Sequence, residues 1–231
     1  MKILAFDTSS STCTVALQVG NHAMFLHQMA PMQQAHLVLP MIHELLATAS
    51  LTVNQLDAIA YGSGPGSFTG IRIASSVAQG IGFAANLPII QISSLAAMAQ
   101  TAFIQQHKTK CLVVLDARMG QVYWGAYQVN PYGRAELVGK EQVGQPEELH
   151  IAETLLNNEL TNETLNSETW CGIGDGWEKY DKPLIARLGF KPSEMDSSLI
   201  PHASAMLPLA IEKFKQKDWI TPSQTVPDYL R

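Results

Sequence analysis

Apolar residues come in short runs closed by turn residues, and the runs set out a mixed α/β chain. Residues 3–6 form a continuous apolar run that stops at Asp7, followed by a hydroxyl-rich turn, Thr8 to Ser11. Residues 12–19 alternate apolar and polar positions, the pattern of a half-buried strand, and Gly20-Asn21 turns the chain into a third strand over 23–29. Leu37, Met41, Leu45 and Ala49 share helical spacing, so a helix is expected over 35–49, with Pro40 near its first turn. A strand over 58–61 leads through a glycine-rich stretch to a helix over 69–86. A strand over 88–92 and a helix from Ser94, its expected cap, to Gln106 follow.

A second pass begins at Cys111. An apolar strand over 112–115 again ends in an acid, Asp116, and strands over 122–129 and 135–143 follow, with a helix expected over 147–158. A loop over 157–168, a strand over 169–173, the Gly174-Asp175-Gly176 turn, a helix over 202–215 containing Pro208 and an extended tail complete the reading. The order strand, Asp, turn, strand, turn, strand, helix thus occurs twice, an internal structural repeat with scarcely matching residues. Two such units describe the actin-like ATPase and sugar-kinase (ASKHA) architecture: α/β, two tandem ribonuclease-H-like units, the second reduced. The expected units are 1–106, carrying the partner helices, and 107–231, with the final helix free to pack back on the first; the break falls near 106–110.

Composition narrows the function classes. Of 231 residues, 15% are charged and 46% hydrophobic, so part of the surface is expected to be covered by a protein partner. A formal net charge of −5 argues against a dedicated nucleic-acid binder. Three scattered cysteines, Cys13, Cys111 and Cys171, make neither a disulfide framework nor a Cys-x-x-Cys zinc signature. The N-terminus meets a charge too early for a signal peptide, and no apolar run is long enough to span a membrane, so a cytoplasmic protein is expected.

The candidate chemistry lies in the turns. Asp7, Thr8 and Ser9 after the first strand and Asp116 after its counterpart can hold hydrated magnesium and phosphate, or simply cap turns. Gly64 and Gly66, within Gly62-Ser63-Gly64-Pro65-Gly66-Ser67-Phe68-Thr69-Gly70, form either a phosphate cradle or a tight turn; no Gly-Lys-Ser/Thr of a P-loop follows. Gly174 sits in a second glycine turn, near an adenosine site or in a plain loop. His36 and His43 lie two helical turns apart, about 10 Å, too far for one metal. There is no Gly-x-Ser-x-Gly elbow of a serine hydrolase. In the helix over 69–86, Ala74, Ala78 and Gly82 form one narrow edge and Ser76, Gly80 and Ala84 another, so one edge is available to a neighbour. Leu39, Ile42 and Leu46 of the preceding helix would lie beside it, and with Ala74, Ala78 and Gly82 they are the expected partner interface.

Ile3-Leu4-Ala5-Phe6-Asp7-Thr8-Ser9, Gly64-Pro65-Gly66-Ser67-Phe68-Thr69-Gly70, Asp116-Ala117-Arg118-Met119-Gly120 and Pro227-Asp228-Tyr229-Leu230-Arg231 together resemble the TsaB (YeaZ) family across the whole chain. The resemblance implies a non-catalytic subunit of the bacterial machinery that makes threonylcarbamoyladenosine beside the tRNA anticodon. It implies pairing with the catalytic paralogue TsaD through the two N-terminal helices, and with the ATPase TsaE; TsaC supplies threonylcarbamoyl-adenylate. tRNA is met only through the complex, and the chain alone is expected to self-pair. No cofactor is required, ATP or ADP acting through the complex. The family also implies a slightly longer C-terminus. Where the paralogue carries a metal-binding His-x-x-x-His, this chain has Ser94 and Met98, so no metal and no catalytic residue are expected, and Asp7, Thr8, Ser9, Gly64, Gly66, Asp116 and Gly174 would be a vestigial nucleotide site. The alternative is an independent small-molecule kinase or ATPase of the same fold, which should show an acidic base and an intact adenosine subdomain.

Overall fold

The computed structural model of the chain describes residues 1–148 and 170–227. The chain divides into two compact units. Of the described residues, the first holds Met1–Ala97 and the chain from Pro201 to Pro227, and the second those between Met98 and Ile200. The helix expected over 147–158, the loop over 157–168 and the residues after Pro227 lie outside the described residues.

In the first unit, β1 (Lys2–Asp7) is central, antiparallel to β2 (Thr12–Val19) and parallel to β4 (Ala58–Gly64). β3 (His22–Met29) and β5 (Ile89–Ser93) complete the order β3-β2-β1-β4-β5. Strand alternation divides this sheet between two cores. Leu4, Phe6, Ile59 and Tyr61 face α1 (Gln34–Thr48) and α2 (Phe68–Ala85). Ile3, Ala5, Ala58 and Ala60 face α5 (Ala203–Lys215), which contributes Ala203, Met206, Leu207 and Ala210. Alanines on both sides of that second interface let the helix approach the sheet closely.

The second unit repeats the topology. β6 (Lys110–Arg118) is central, with β7 (Gln121–Val129) and β8 (Ala135–Gly144) on one side and β9 (Cys171–Ile173) and β10 (Met195–Asp196) on the other, in the order β10-β9-β6-β7-β8. Read from the other edge this is the strand order of the first sheet, and these are the two ribonuclease-H-like units. The second is reduced on its parallel side, where the strands have only three and two residues. α4 (Gly176–Leu188) packs Trp177, Leu184 and Leu188 against Leu112, Val114 and Trp124. Trp177 donates its indole N–H to the Leu112 carbonyl at 2.9 Å.

The units are not divided at 106/107. α3 (Ser94–Gln106) begins in the first unit, but from Met98 it belongs to the second, where Gln100 donates to the Gly133 carbonyl and accepts from the Ala135 amide. α5 follows the second repeat in sequence but belongs to the first unit, because its apolar face lies on β1, β2 and β5. Pro40 sits inside α1 rather than in its first turn. The cap of α3 is Ser93, whose Oγ accepts from the Leu95 amide at 3.1 Å; Ser94 turns inward instead. α4 and β10 were not expected from the sequence.

α5 is capped by a histidine. His202 Nδ1 accepts from the Ser204 amide at 3.3 Å, and the ring stacks on His27 at 4.7 Å and meets Phe25 edge-on at 4.9 Å. Burial, and then the neighbouring His27, hold the His202 pKa down at about 4. A folded pKa below the unfolded 6.5 means that the neutral ring contributes fully above pH 6.5 and loses its contribution as pH falls toward 4. Discounted for the ring's partial exposure, this is about 1–2 kcal/mol, or roughly 4 °C in Tm. Thermal melts of the wild type should show this extra loss between pH 7 and 4.5. His202→Asn keeps a capping acceptor without a titratable ring and should show a shallower pH dependence.

Candidate functional site

The turn after β1 is held from within. The Asp7 Oδ1 accepts from the Ser9 amide and the Ser9 hydroxyl, both at 2.8 Å. The Ser94 hydroxyl, at the start of α3, stands 3.0 Å from Ser9 Oγ and 3.4 Å from Asp7 Oδ2. Asp7 and Thr8 are fully buried and Ser9 nearly so. Burial raises the Asp7 carboxyl pKa against the opposing pull of the Ser9 and Ser94 hydrogen bonds.

The glycine loop is built to lie against this turn. A Cβ on Gly62 would stand 1.7 Å from Asp7 Oδ2, one on Gly66 2.6 Å from the Ser9 carbonyl, and one on Gly70 1.9 Å from the Thr8 carbonyl. Thr8 donates its hydroxyl to the Gly70 carbonyl at 2.7 Å, and the Ser67 amide donates to the Ser9 carbonyl at 2.7 Å. Ser67 also caps α2, its Oγ accepting from the Gly70 amide. Gly64 is left-handed at φ +108°. The structure therefore brings Asp7, Thr8, Ser9, Gly64 and Gly66 into one neighbourhood, in which Gly62, Gly66 and Gly70 serve backbone-to-turn packing.

The equivalent turn in the second unit is satisfied differently. Asp116 accepts from the Arg118 amide at 2.9 Å, and its carboxylate meets Lys179 Nζ and Arg118 Nη1 at 3.2 Å each and the Tyr180 hydroxyl at 3.2 Å. Burial would raise its pKa, but the Arg118 amide, Lys179 and Tyr180 outweigh it and hold the carboxyl below the usual carboxylate range. Asp175 Oδ1 accepts from the Asp116 amide, and Gly174, at φ +103°, lets the chain pass where a Cβ would be 2.3 Å from the Val114 carbonyl. Asp116 and Gly174 therefore share one end of β6. Sequence reasoning placed Asp175 in the glycine turn without its bond to the Asp116 amide, and missed Lys179 and Tyr180 because it missed α4.

The partner-face assignment needs correction. Ala74, Ala78 and Gly82 are buried, the first two wholly, and belong to the edge of α2 that packs on its own sheet. Ile42 and Leu46 are buried in the same core. Of the six expected interface residues only Leu39, 51% exposed, faces outward. The exposed edge of α2 is the other small-residue stripe, Ser76, Gly80 and Ala84, with Phe83 beside it at 80% exposure. Phe83 lies three residues after Gly80, and that spacing was the available signal. At the start of α2 the Arg72 guanidinium lies 3.3 Å over the exposed Phe68 ring. Among the described residues no three His, Cys, Asp or Glu side chains gather as a metal site, and no helix is long and apolar enough to cross a membrane.

Residues 28–211 match a family model described as TsaD, tRNA N6-adenosine threonylcarbamoyltransferase. The tRNA threonylcarbamoyladenosine biosynthesis protein TsaB of Escherichia coli (strain K12) is 35% identical, covering 100% of this chain and 95% of its own. Its counterpart in Haemophilus influenzae (strain ATCC 51907 / DSM 11121 / KW20 / Rd) is also 35% identical, with coverage of 100% and 94%. The solved structure of YeaZ from Pseudomonas aeruginosa is 36% identical, has a TM-score of 0.87 and covers 99% of each chain.

Two glycine substitutions test the nested turn. Gly70→Ala drives a Cβ into backbone and should destabilise the chain by about 3 kcal/mol. Gly80→Ala enters open space and should stabilise it by about 0.5–1 kcal/mol through helix propensity. Urea unfolding of both variants measures the contrast; equal effects would show that the Thr8 contact does not constrain the loop.

Proposed function

The chain belongs to the TsaB (YeaZ) family, and from that premise we propose that it is a non-catalytic scaffold subunit for threonylcarbamoylation of tRNA adenosine beside the anticodon. Its partner would be the catalytic paralogue TsaD, joined by the ATPase TsaE. tRNA would be met only through this complex, in the cytoplasm. The observation that carries the reading is that both turn aspartates are already engaged by the chain's own atoms. Asp7 is buried against Gly62 and held by Ser9, and Asp116 is paired with Lys179 and Arg118. Asp7 is closed to a hydrated magnesium ion and the charge of Asp116 is already met by Lys179 and Arg118, so the chain would need no nucleotide of its own, and ATP or ADP would act through the complex.

What the chain offers instead is a face. Leu39 on α1 and Phe83, flanked by Gly80 and Ala84, on α2 are exposed on two helices packed together on one side of the sheet. Exposed aromatic and aliphatic anchors beside small residues suit docking of helices from a partner. By binding one arrangement of the catalytic subunit more tightly than others, such a face raises the population of that arrangement without doing chemistry. Without the partner, the same face would pair with a second copy of the chain.

Reconstituted tRNA modification with purified subunits tests this reading. Omitting the chain should abolish modification, and full modification without it would remove the scaffold role. Asp7→Asn keeps the shape of the carboxyl and should change the rate less than about threefold. A nucleotide-holding aspartate would instead cost orders of magnitude. Phe83→Asp should leave the fold intact and weaken binding to TsaD by about 2 kcal/mol, roughly thirtyfold, in calorimetric titration. Ala78→Trp is unsuitable for this purpose, because it would disrupt the core before it reached any partner.

A further inference from the structure

The cysteines that are scattered in sequence are not all scattered in space. Cys111 lies on β6 and Cys171 on β9, and the parallel register places them opposite each other. Neighbouring strands run about 4.8 Å apart, and residues in register project to the same face. Both are free thiols, Cys111 1% and Cys171 6% exposed. Cys171 lines a cavity of about 370 Å³ with Lys108, Gln106, Glu194 and Asp196, and its Sγ is 3.7 Å from the Ser193 hydroxyl.

Lys108 belongs to this cluster. Its ammonium pairs with Glu194 at 2.5 Å, and its pKa is held above the usual lysine value first by that hydrogen bond and also by the nearby Cys171 and Cys111 sulfurs. A direct disulfide would require Cβ atoms within about 4.5 Å, which parallel strands reach only by pinching together. An ion placed between the two sulfurs asks for no such pinch. The carboxylates nearby are engaged, Glu194 by Lys108 and Asp196 by Gln106, Ser198 and its own turn, which leaves two sulfurs as ligands. Two soft ligands without a third or fourth suit a soft ion rather than zinc, which takes four. A monovalent ion between two thiolates leaves one net negative charge, which the Lys108 ammonium, shared with Glu194, partly offsets.

We propose that Cys111 and Cys171 form a two-coordinate copper(I) site, the ion held between their sulfurs beside Lys108. Binding is an exchange without redox chemistry. One Cu⁺ replaces two thiol protons, which are released to solvent, and two copper–sulfur bonds form.

The test is an anaerobic titration of the full chain with copper(I) against bicinchoninate, in a thiol-free reductant. The wild type should withdraw one copper per chain, and Cys13→Ala should do the same, since Cys13 is a lone buried thiol in the first unit. Cys111→Ala and Cys171→Ala should each lose the site, while Lys108→Gln should weaken it by about tenfold. Failure of the folded wild type to withdraw copper overturns the proposal, as does a Cys111→Ala variant that binds as well. X-ray absorption of the copper-loaded wild type needs no variant. A linear two-sulfur shell supports the site, and a shell of nitrogen or oxygen ligands refutes it.

Discussion

The contact on which the first unit depends is the seating of the glycine loop against the β1–β2 turn. Three glycines from one short stretch, Gly62, Gly66 and Gly70, each occupy a place where a side chain would strike Asp7, Ser9 or Thr8. The hydrogen bonds from Thr8 to Gly70 and from Ser67 to Ser9 then fix the start of α2 to the end of β1. Because an α-helix turns a fixed angle per residue, setting its first turn sets which edge faces the sheet along its whole length. Ala74, Ala78 and Gly82 therefore go inward, and Ser76, Gly80, Phe83 and Ala84 go outward. The loop that in sequence most resembles a phosphate cradle is, in the folded chain, the element that aims a surface helix.

The two turn aspartates solve one electrostatic problem in opposite ways. A carboxylate at a strand end is costly to bury unless it is paired or protonated. Asp7 is buried among hydroxyls and an amide, and its pKa moves up; Asp116 keeps some exposure, acquires Lys179 and Arg118, and its pKa moves down. In each unit the charge that a nucleotide's metal would otherwise balance is already dealt with locally. That difference also explains why the second turn calls on α4: Lys179 and Tyr180 come from the helix that packs Trp177 beneath β6.

Much of this architecture was legible in the residues. Apolar runs and alternation located nine of the ten described strands, most of them long enough to show a period and buried on at least one face. β10, with two residues, has no period to read, and α4 hides behind a polar composition, an internal Pro183 and a non-helical Tyr180. The break between units falls within α3 rather than after it, because nothing local to that helix says that Gln100 will bond the Gly133 carbonyl and the Ala135 amide. Asp7, Thr8, Ser9, Gly64 and Gly66 were grouped as one candidate site by the family resemblance, not by spacing. What that neighbourhood does depended on distances that spacing does not contain. The pairing of Cys111 with Cys171 was likewise invisible, since strand register rather than sequence separation brings them together.

Three glycines lie within α2, and each costs helix propensity of up to about 1 kcal/mol relative to alanine. Gly70 has an internal reason, the Thr8 carbonyl at 1.9 Å from its would-be Cβ. Gly82 also has one, since a Cβ there would meet Ile89 at 2.7 Å and Pro222 at 3.3 Å. Gly80 has none: its would-be Cβ has nothing within 4 Å, and its edge of the helix faces out beside an exposed phenylalanine. A cost without an internal return calls for an external one. Close backbone approach by another helix is the arrangement in which a missing side chain helps and a neighbouring Phe83 anchors. The three positions, alike in sequence, thus separate into two that hold the chain together and one that, in the proposed complex, would leave room for a partner.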